Sequence, residues 1–133
     1  MTKQELVISV LEEMGLKPQI DDDGDILVRY QLKRFYVLGT RAEDSNELMV
    51  LYNQFFDVEE GEEIKMLTAC NILTRTLTVT KVYIERTLKD VSASYEFAYF
   101  DEAAIRPSLE KAFTSLALVR PALRQQLDEL SED

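Results

Sequence analysis

The spacing of apolar residues changes between helical and strand periodicity several times along this chain, and the order of those changes restricts the fold more than any other feature. Helical spacing comes first, followed by three segments of strand-like alternation, a second helical segment, two more alternating segments and a long helical stretch. Grouped strands and helices of this kind are typical of an α+β fold. We therefore expect the order α-β-β-β-α-β-β-α, with an antiparallel sheet and the helices packed on it.

The first helix is predicted over Lys3 to Met14. Thr2, followed three residues later by Glu5, has the form of a capping box, and Gly15 stands where a helix ends in a left-handed residue. Lys3 falls outside the apolar stripe of this helix. The helix should therefore bury its apolar stripe and leave Lys3 on its polar side.

Alternating residues predict three strands near 26–31, 35–40 and 47–56, joined by short polar segments. These connections are too short for a parallel crossover, so the strands should form an antiparallel meander. Two further strands, over 77–84 and 91–99, are separated by a turn and should form a hairpin.

A second helix is predicted from Glu59 to Thr74, because its opening glutamates suit the positive end of a helix dipole. Its apolar surface comprises Ile64, Met66, Leu67, Cys70, Ile72 and Leu73. Asn71 lies close to this surface. If buried, its amide would need hydrogen-bond partners from a neighbouring loop or strand.

The last helical stretch begins near Asp101 and carries a narrow apolar stripe. One straight helix to Leu130 would be ~45 Å long at ~1.5 Å per residue, which exceeds the width of a domain of this size. Pro121 should therefore kink the helix, or start a second helix in its first turn. We expect one domain over 1–133, with 122–133 forming a C-terminal helical tail.

Composition and net charge restrict the classes of molecule that this chain is expected to bind. The chain has 133 residues and a net charge of −10, which disfavours both nucleic acid and anionic membranes as partners, although it could steer a basic polypeptide. No apolar run approaches the length of a membrane span. The single cysteine, Cys70, is expected to be a small core residue in a cytoplasmic protein.

Catalytic and metal-binding motifs are absent from the sequence. The chain has no histidine, so histidine-dependent triads and metal sites are excluded. The run 21–25 resembles a calcium loop, but its register puts Gln19 and Tyr30 at ligand positions, so a solvated turn is favoured and a weak divalent-ion contact stays open. The carboxylate pairs 59–60 and 101–102 coincide with predicted helix starts. We therefore predict no catalytic, cofactor-binding or metal-binding residues.

Two apolar sets are candidates for partner binding or self-association. The alternating aromatic residues of the last predicted strand could line a groove or form core beneath a helix; they are Tyr95, Phe97 and Tyr99. The C-terminal stripe could pack against a second copy of the chain through Leu116, Leu123, Leu127 and Leu130.

The order of elements resembles the type III secretion chaperone-like fold, and within it the YbjN-like family of proposed bacterial sensory transduction regulators. The resemblance rests on the helix over 6–15, the Asp-rich turn that leads into 25–30, the segment 67–71 and the region of Phe113. It implies a small cytosolic binding module, often dimeric, that engages another polypeptide.

The leading hypothesis is therefore a non-enzymatic protein-binding or regulatory module without cofactors, with another polypeptide as partner and a homodimer as its expected state. Two alternatives stay open. One is a structural protein that forms homo-oligomers, and the other is an enzyme with a carboxylate-only site.

Overall fold

A six-stranded antiparallel sheet forms the centre of the computed structural model, which describes residues 1–132. The strands are β1 (Gln19–Ile20), β2 (Ile26–Tyr30), β3 (Lys33–Leu38), β4 (Glu47–Asp57), β5 (Thr80–Ile84) and β6 (Asp90–Ala98). Their order in the sheet is β1-β2-β3-β4-β6-β5, which confirms the meander and the hairpin. Strand β1 was not predicted, because two residues are too few to show a periodicity.

Four α-helices accompany the sheet: α1 (Lys3–Glu13), α2 (Glu63–Thr76), α3 (Ile105–Ala117) and α4 (Val119–Ser131). The predicted capping box at the start of α1 is confirmed. Helix α2 begins four residues later than predicted, after a turn in which Gly61 adopts a φ of +87°. The last helical stretch breaks at Leu118, and Pro121 is the third residue of α4, so the second predicted alternative, a restarted helix, is confirmed. Residue 133, the end of the predicted tail, lies outside the described residues.

All four helices pack on one face of the sheet. Their buried side chains join those of β2, β3, β4, β5 and β6 in one hydrophobic cluster. The centre of the cluster is aromatic: Phe113 of α3 lies 5.5 Å from Phe35 of β3 and 5.3 Å from Tyr30 of β2, between ring centroids. Aromatic pairs at such distances add to the free energy gained from burial alone.

Helix α2 buries only part of the apolar surface that the sequence predicted, namely Met66, Cys70 and Leu73, together with Ala69. Ile64 and Leu67 instead face outward, with 80% and 51% of their surface exposed. Asn71 is also exposed, so water can satisfy its amide. The prediction erred because apolar residues surround this helix, and only its packing against α4 and β5 selects the buried side.

Lys3 is buried, contrary to the prediction from the helical wheel. Its ammonium group donates hydrogen bonds to the carbonyl oxygens of Glu47, at 2.9 Å, and Ala42, at 3.2 Å. Burial lowers the pKa of Lys3, while the nearby charges of Glu43 and Glu47 oppose this shift. The side chain thereby ties the start of α1 to the loop between β3 and β4.

The hairpin between β2 and β3 turns through Gln31 and Leu32, which both have positive φ values, of 50° and 66°. Such two-residue turns favour Asn-Gly, since a side chain with a Cβ atom is strained in this conformation. Leu32 is also 95% exposed, so packing does not compensate for the strain.

We expect the double substitution Gln31→Asn and Leu32→Gly to raise the free energy of unfolding by about 1 kcal/mol, because both residues then suit the turn. Urea denaturation measures the change. The control Leu32→Ala removes the same exposed side chain but keeps the Cβ atom. An equal gain in this control would show that strain at the turn is not the cause.

Cys70 is a core residue, as predicted, with 3% of its surface exposed. Burial raises the pKa of its thiol from 9.0 to about 11. The folded protein therefore holds the thiol proton at pH values where the unfolded chain releases it. By linkage, this group reduces stability as the pH rises from the unfolded value towards the folded one.

We expect the free energy of unfolding of the wild type to fall between pH 9.0 and about 11 more steeply than that of Cys70→Ala. Denaturation at a series of pH values measures the difference between the two proteins. Other groups that titrate in this range are common to both proteins and cancel in that difference. Parallel curves for the two proteins would contradict the prediction.

Candidate functional site: the uncovered face of the sheet

The sheet face opposite the helices carries apolar side chains in its central strands. Alternation along β2, β3 and β4 sends alternate residues to this face. We call the resulting set the apolar patch: Leu27, Tyr36, Leu38, Met49 and Leu51. All five are partly buried by their neighbours but not covered by a helix.

Strand register makes the patch continuous. Leu27 pairs with Tyr36, and Tyr36 pairs with Leu51, so these three side chains form one row across three strands. Leu38 pairs with Met49 in the next row on the same face. Antiparallel sheets that face water on one side usually carry polar residues there. Large contiguous apolar patches on a protein surface are often interaction sites, so this patch is the candidate site.

The two ends of the patch carry opposite charges. At one end, Arg29 of β2 pairs directly with Arg34 of β3. At the other end, Glu47 and Glu96 line a groove of about 260 Å³ together with Leu38, Gly39, Ser45, Leu48 and Met49. Glu96 is also bound to Lys81, at 2.6 Å. The apolar patch therefore lies between a basic and an acidic end.

Towards β5 the same face becomes polar and closely packed. Ser92 donates a hydrogen bond to the carboxylate of Glu85, at 2.6 Å, and accepts one from the backbone amide of Gln54, at 2.8 Å. Burial, and then the charge of Glu85, raise the pKa of Tyr83. Gln54 belongs to an irregularity in β4 that separates the two regular parts of its pairing with β6. This polar region bounds the patch on one side.

The leucines proposed for self-association lie in the core or against it. Leu116 and Leu123 are fully buried, while Leu127 and Leu130 are partly buried and pack against the core cluster. Helix α4 contacts α2 of the same chain. Self-association stays a prediction, but the side chains on which the sequence placed it are covered within the chain.

The aromatic residues of the last strand face the helices. Tyr95 is buried, and Phe97 and Tyr99 pack partly buried against the core. The structure places Tyr95 in the core and Phe97 and Tyr99 at its margin, while a role of these residues in partner binding stays a prediction.

The carboxylates considered for chemistry take part in local turns. The Asp21 side chain accepts hydrogen bonds from the backbone amides of Asp23, at 3.0 Å, and Asp25, at 2.9 Å, and so shapes the predicted turn. Asp101 accepts from the amide of Ala104 and caps a short 3₁₀ helix. Through these hydrogen bonds the carboxylates of Asp21 and Asp101 stabilise the local backbone.

Sequence reasoning missed the apolar patch. The sequence nevertheless contains the pattern that indicates the patch: Leu27, Tyr36 and Leu38 are apolar and alternate with the core residues of the same strands. Both faces of these strands are therefore apolar. A sheet with few helices to cover it can bury only one such face, so the second face was a candidate for binding.

The β5 edge of the sheet is closed by a side chain from α2. The hydroxyl group of Thr74 donates to the carbonyl oxygen of Val82, at 3.0 Å, and accepts from the amide of Val82, at 2.9 Å. Both groups belong to the edge strand and would otherwise be free to pair with another strand.

We expect Thr74→Val to lower the free energy of unfolding by about 1–2 kcal/mol, because it removes both hydrogen bonds while keeping the shape of the side chain. Urea denaturation measures this loss. Thr74→Ser keeps the hydroxyl group and should lose less. Equal losses in the two variants would mean that packing of the Thr74 methyl group, rather than its hydroxyl, stabilises this edge.

None of the helices within residues 1–132 is long and apolar enough to cross a bilayer. No protein-family model and no curated protein sequence matches this chain.

Two solved structures are similar to this one over nearly their whole length. YbjN from E. coli, a proposed transcription regulator, aligns with a TM-score of 0.66 and 6% sequence identity over 94% of this chain and 92% of that one. An uncharacterised protein from Methanothermobacter thermautotrophicus aligns with a TM-score of 0.61 and 11% identity over 94% of this chain and 99% of that one. The chain therefore has the YbjN-like α+β fold that the order of its elements predicted.

Proposed function

We propose that this protein is a non-enzymatic binding module that docks another polypeptide on the apolar patch. The observation that carries the proposal is the row formed by Leu27, Tyr36 and Leu51, which lies in register across three strands on a face that no described helix covers. Burying such a row against a partner would release free energy roughly in proportion to the apolar area removed from water.

Docking would use side chains rather than an added strand. At the β5 edge, Thr74 occupies the outward backbone groups of Val82. At the opposite edge, β1 comprises only two residues, Gln19 and Ile20. Neither edge offers the long row of free backbone groups that strand addition requires. The patch is therefore the better docking surface.

The partner segment should present apolar side chains followed by positive charge. The net charge of −10 attracts basic chains over long range. Within the site, Glu47 sets the acidic end of the patch beside Leu38 and Met49, whereas Glu96 is already paired with Lys81. A basic residue of the partner would lie at this end, while its apolar residues would cover the patch.

A regulatory role fits such a module. YbjN, which has the same fold, is a proposed transcription regulator. In this chain the negative charge favours regulation through a protein partner over direct contact with DNA. The proposal places the protein in the cytoplasm, where its single buried thiol would stay reduced.

The test uses a phage-displayed library of random peptides with the full-length protein as bait. Enriched peptides should combine apolar residues with lysine or arginine. Their affinity should fall at least about tenfold in Leu51→Asp, because the substitution puts a charge into the apolar row.

The matched control is Ile64→Asp, which puts the same charge on an exposed apolar residue of α2, away from the sheet. This variant should bind the selected peptides like the wild type. Equal losses in the two variants, or no enriched peptides with a folded bait, would contradict the proposal. Light scattering on the wild type and both variants tests whether a second copy of the chain covers the patch instead. If the wild type is a dimer that Leu51→Asp dissociates and Ile64→Asp does not, the partner on the patch is a second copy of the chain rather than another polypeptide.

A further inference from the structure

A cleft of about 540 Å³ lies beside the apolar patch. It lies where the chain enters β1. That strand pairs with β2 only through Gln19 and Ile20, opposite Leu27 and Ile26. The cleft is lined by Gly15, Leu16, Lys17, Gln19, Leu27, Val28, Arg29 and Arg34.

The charge of this cleft is opposite to that of the protein. Its lining includes three cations, Lys17, Arg29 and Arg34, and none of its lining residues is acidic. The chain as a whole has 25 acidic and 15 basic residues. A local excess of positive charge is therefore a specific feature of the cleft and does not reflect the composition.

The two arginines lie directly opposite each other on neighbouring strands. Like charges in that position destabilise a sheet, and cross-strand Cβ atoms are only about 5 Å apart. Within residues 1–132 the ion pairs are Arg41–Asp25, Lys81–Glu96 and Arg106–Glu110, so no carboxylate of the described chain pairs with the cleft cations. An anion bound between the two guanidinium groups would remove the repulsion.

We propose that the cleft binds the phosphate group of a small organic phosphate monoester. A phosphate monoester carries about −1.5 to −2 charges at neutral pH and offers three acceptor oxygens, so it can engage several cations at once. A carboxylate carries a single charge and would leave the remaining cations without a partner. Planar guanidinium groups suit the bidentate geometry of phosphate oxygens.

The remaining walls suit the organic part of such a ligand. Leu16 and Leu27 are partly buried apolar residues of the lining. The cleft volume lies within the range of about 300–1,000 Å³ that is typical of sites for small molecules. The cleft shares Leu27 with the apolar patch, so ligand binding is tested on the free protein.

Isothermal titration of the full-length protein with three probes tests this site: phenyl phosphate, benzoate and inorganic phosphate. Phenyl phosphate should bind at least about tenfold more tightly than benzoate, because only the former carries enough charge for several cations. Phenyl phosphate should also bind more tightly than inorganic phosphate, which has no apolar part. Equal affinity for benzoate, or no saturable binding of phenyl phosphate to the folded protein, would overturn the proposal.

Single substitutions locate the site. Arg29→Gln and Arg34→Gln should each weaken phenyl phosphate binding at least about tenfold. The control Arg86→Gln changes the net charge equally at an exposed residue outside the cleft, and its affinity should match that of the wild type. An equal loss of affinity in the control would mean that binding depends only on the net charge of the protein. That result would overturn the assignment of the ligand to this cleft.

Sedimentation with phosphatidylcholine vesicles doped with phosphatidic acid distinguishes a free ester from a lipid headgroup. If soluble phenyl phosphate binds and the vesicles do not sediment the protein, the ligand is a free phosphate ester. If the vesicles sediment the wild type but not Arg34→Gln, the same cations bind the phosphate of a lipid. Sedimentation that Arg34→Gln leaves unchanged would place the lipid contact elsewhere and contradict a headgroup site in the cleft.

Discussion

The packing of Phe113 against Phe35 and Tyr30 determines how the rest of this molecule is arranged. These rings join α3 to the middle of the sheet. Since α1, α2 and α4 contribute to the same cluster, every helix lies on one side of the sheet. The other side is left without a cover although its central strands carry apolar residues. The apolar patch, which is the proposed binding surface, is thus a direct consequence of one-sided packing.

Both proposed sites belong to that uncovered side and to its edge, and they divide its surface by chemistry. Leu27, Tyr36 and Leu51 supply apolar area, whereas Arg29 and Arg34 supply concentrated positive charge. Directly opposed arginines cost stability in a free protein, and the partly buried apolar row leaves apolar surface in contact with water. A single partner or ligand on each would offset these costs, which is why binding explains the arrangement better than structure alone.

The similarity to YbjN at 6% identity shows how little of a sequence a fold requires. What this chain needs is a periodic pattern of apolar residues and turns at the right places, because hydrophobic burial depends on where apolar residues fall rather than on which they are. The same reasoning limits what the similarity conveys. A shared fold does not transfer a site, since sites depend on particular side chains.

By itself the sequence determined the α+β class, the order of the main elements, the capping box at Thr2 and an interruption of the last helix near Pro121, because local periodicity and backbone chemistry set these features. Only the tertiary structure decided which side of α2 is buried, that Lys3 lies inside, and that Leu123 is core rather than interface. It also decided that Arg29 and Arg34 lie side by side at a cleft. Such features depend on strand register and on contacts between residues far apart in the chain, and local periodicity carries no information about either.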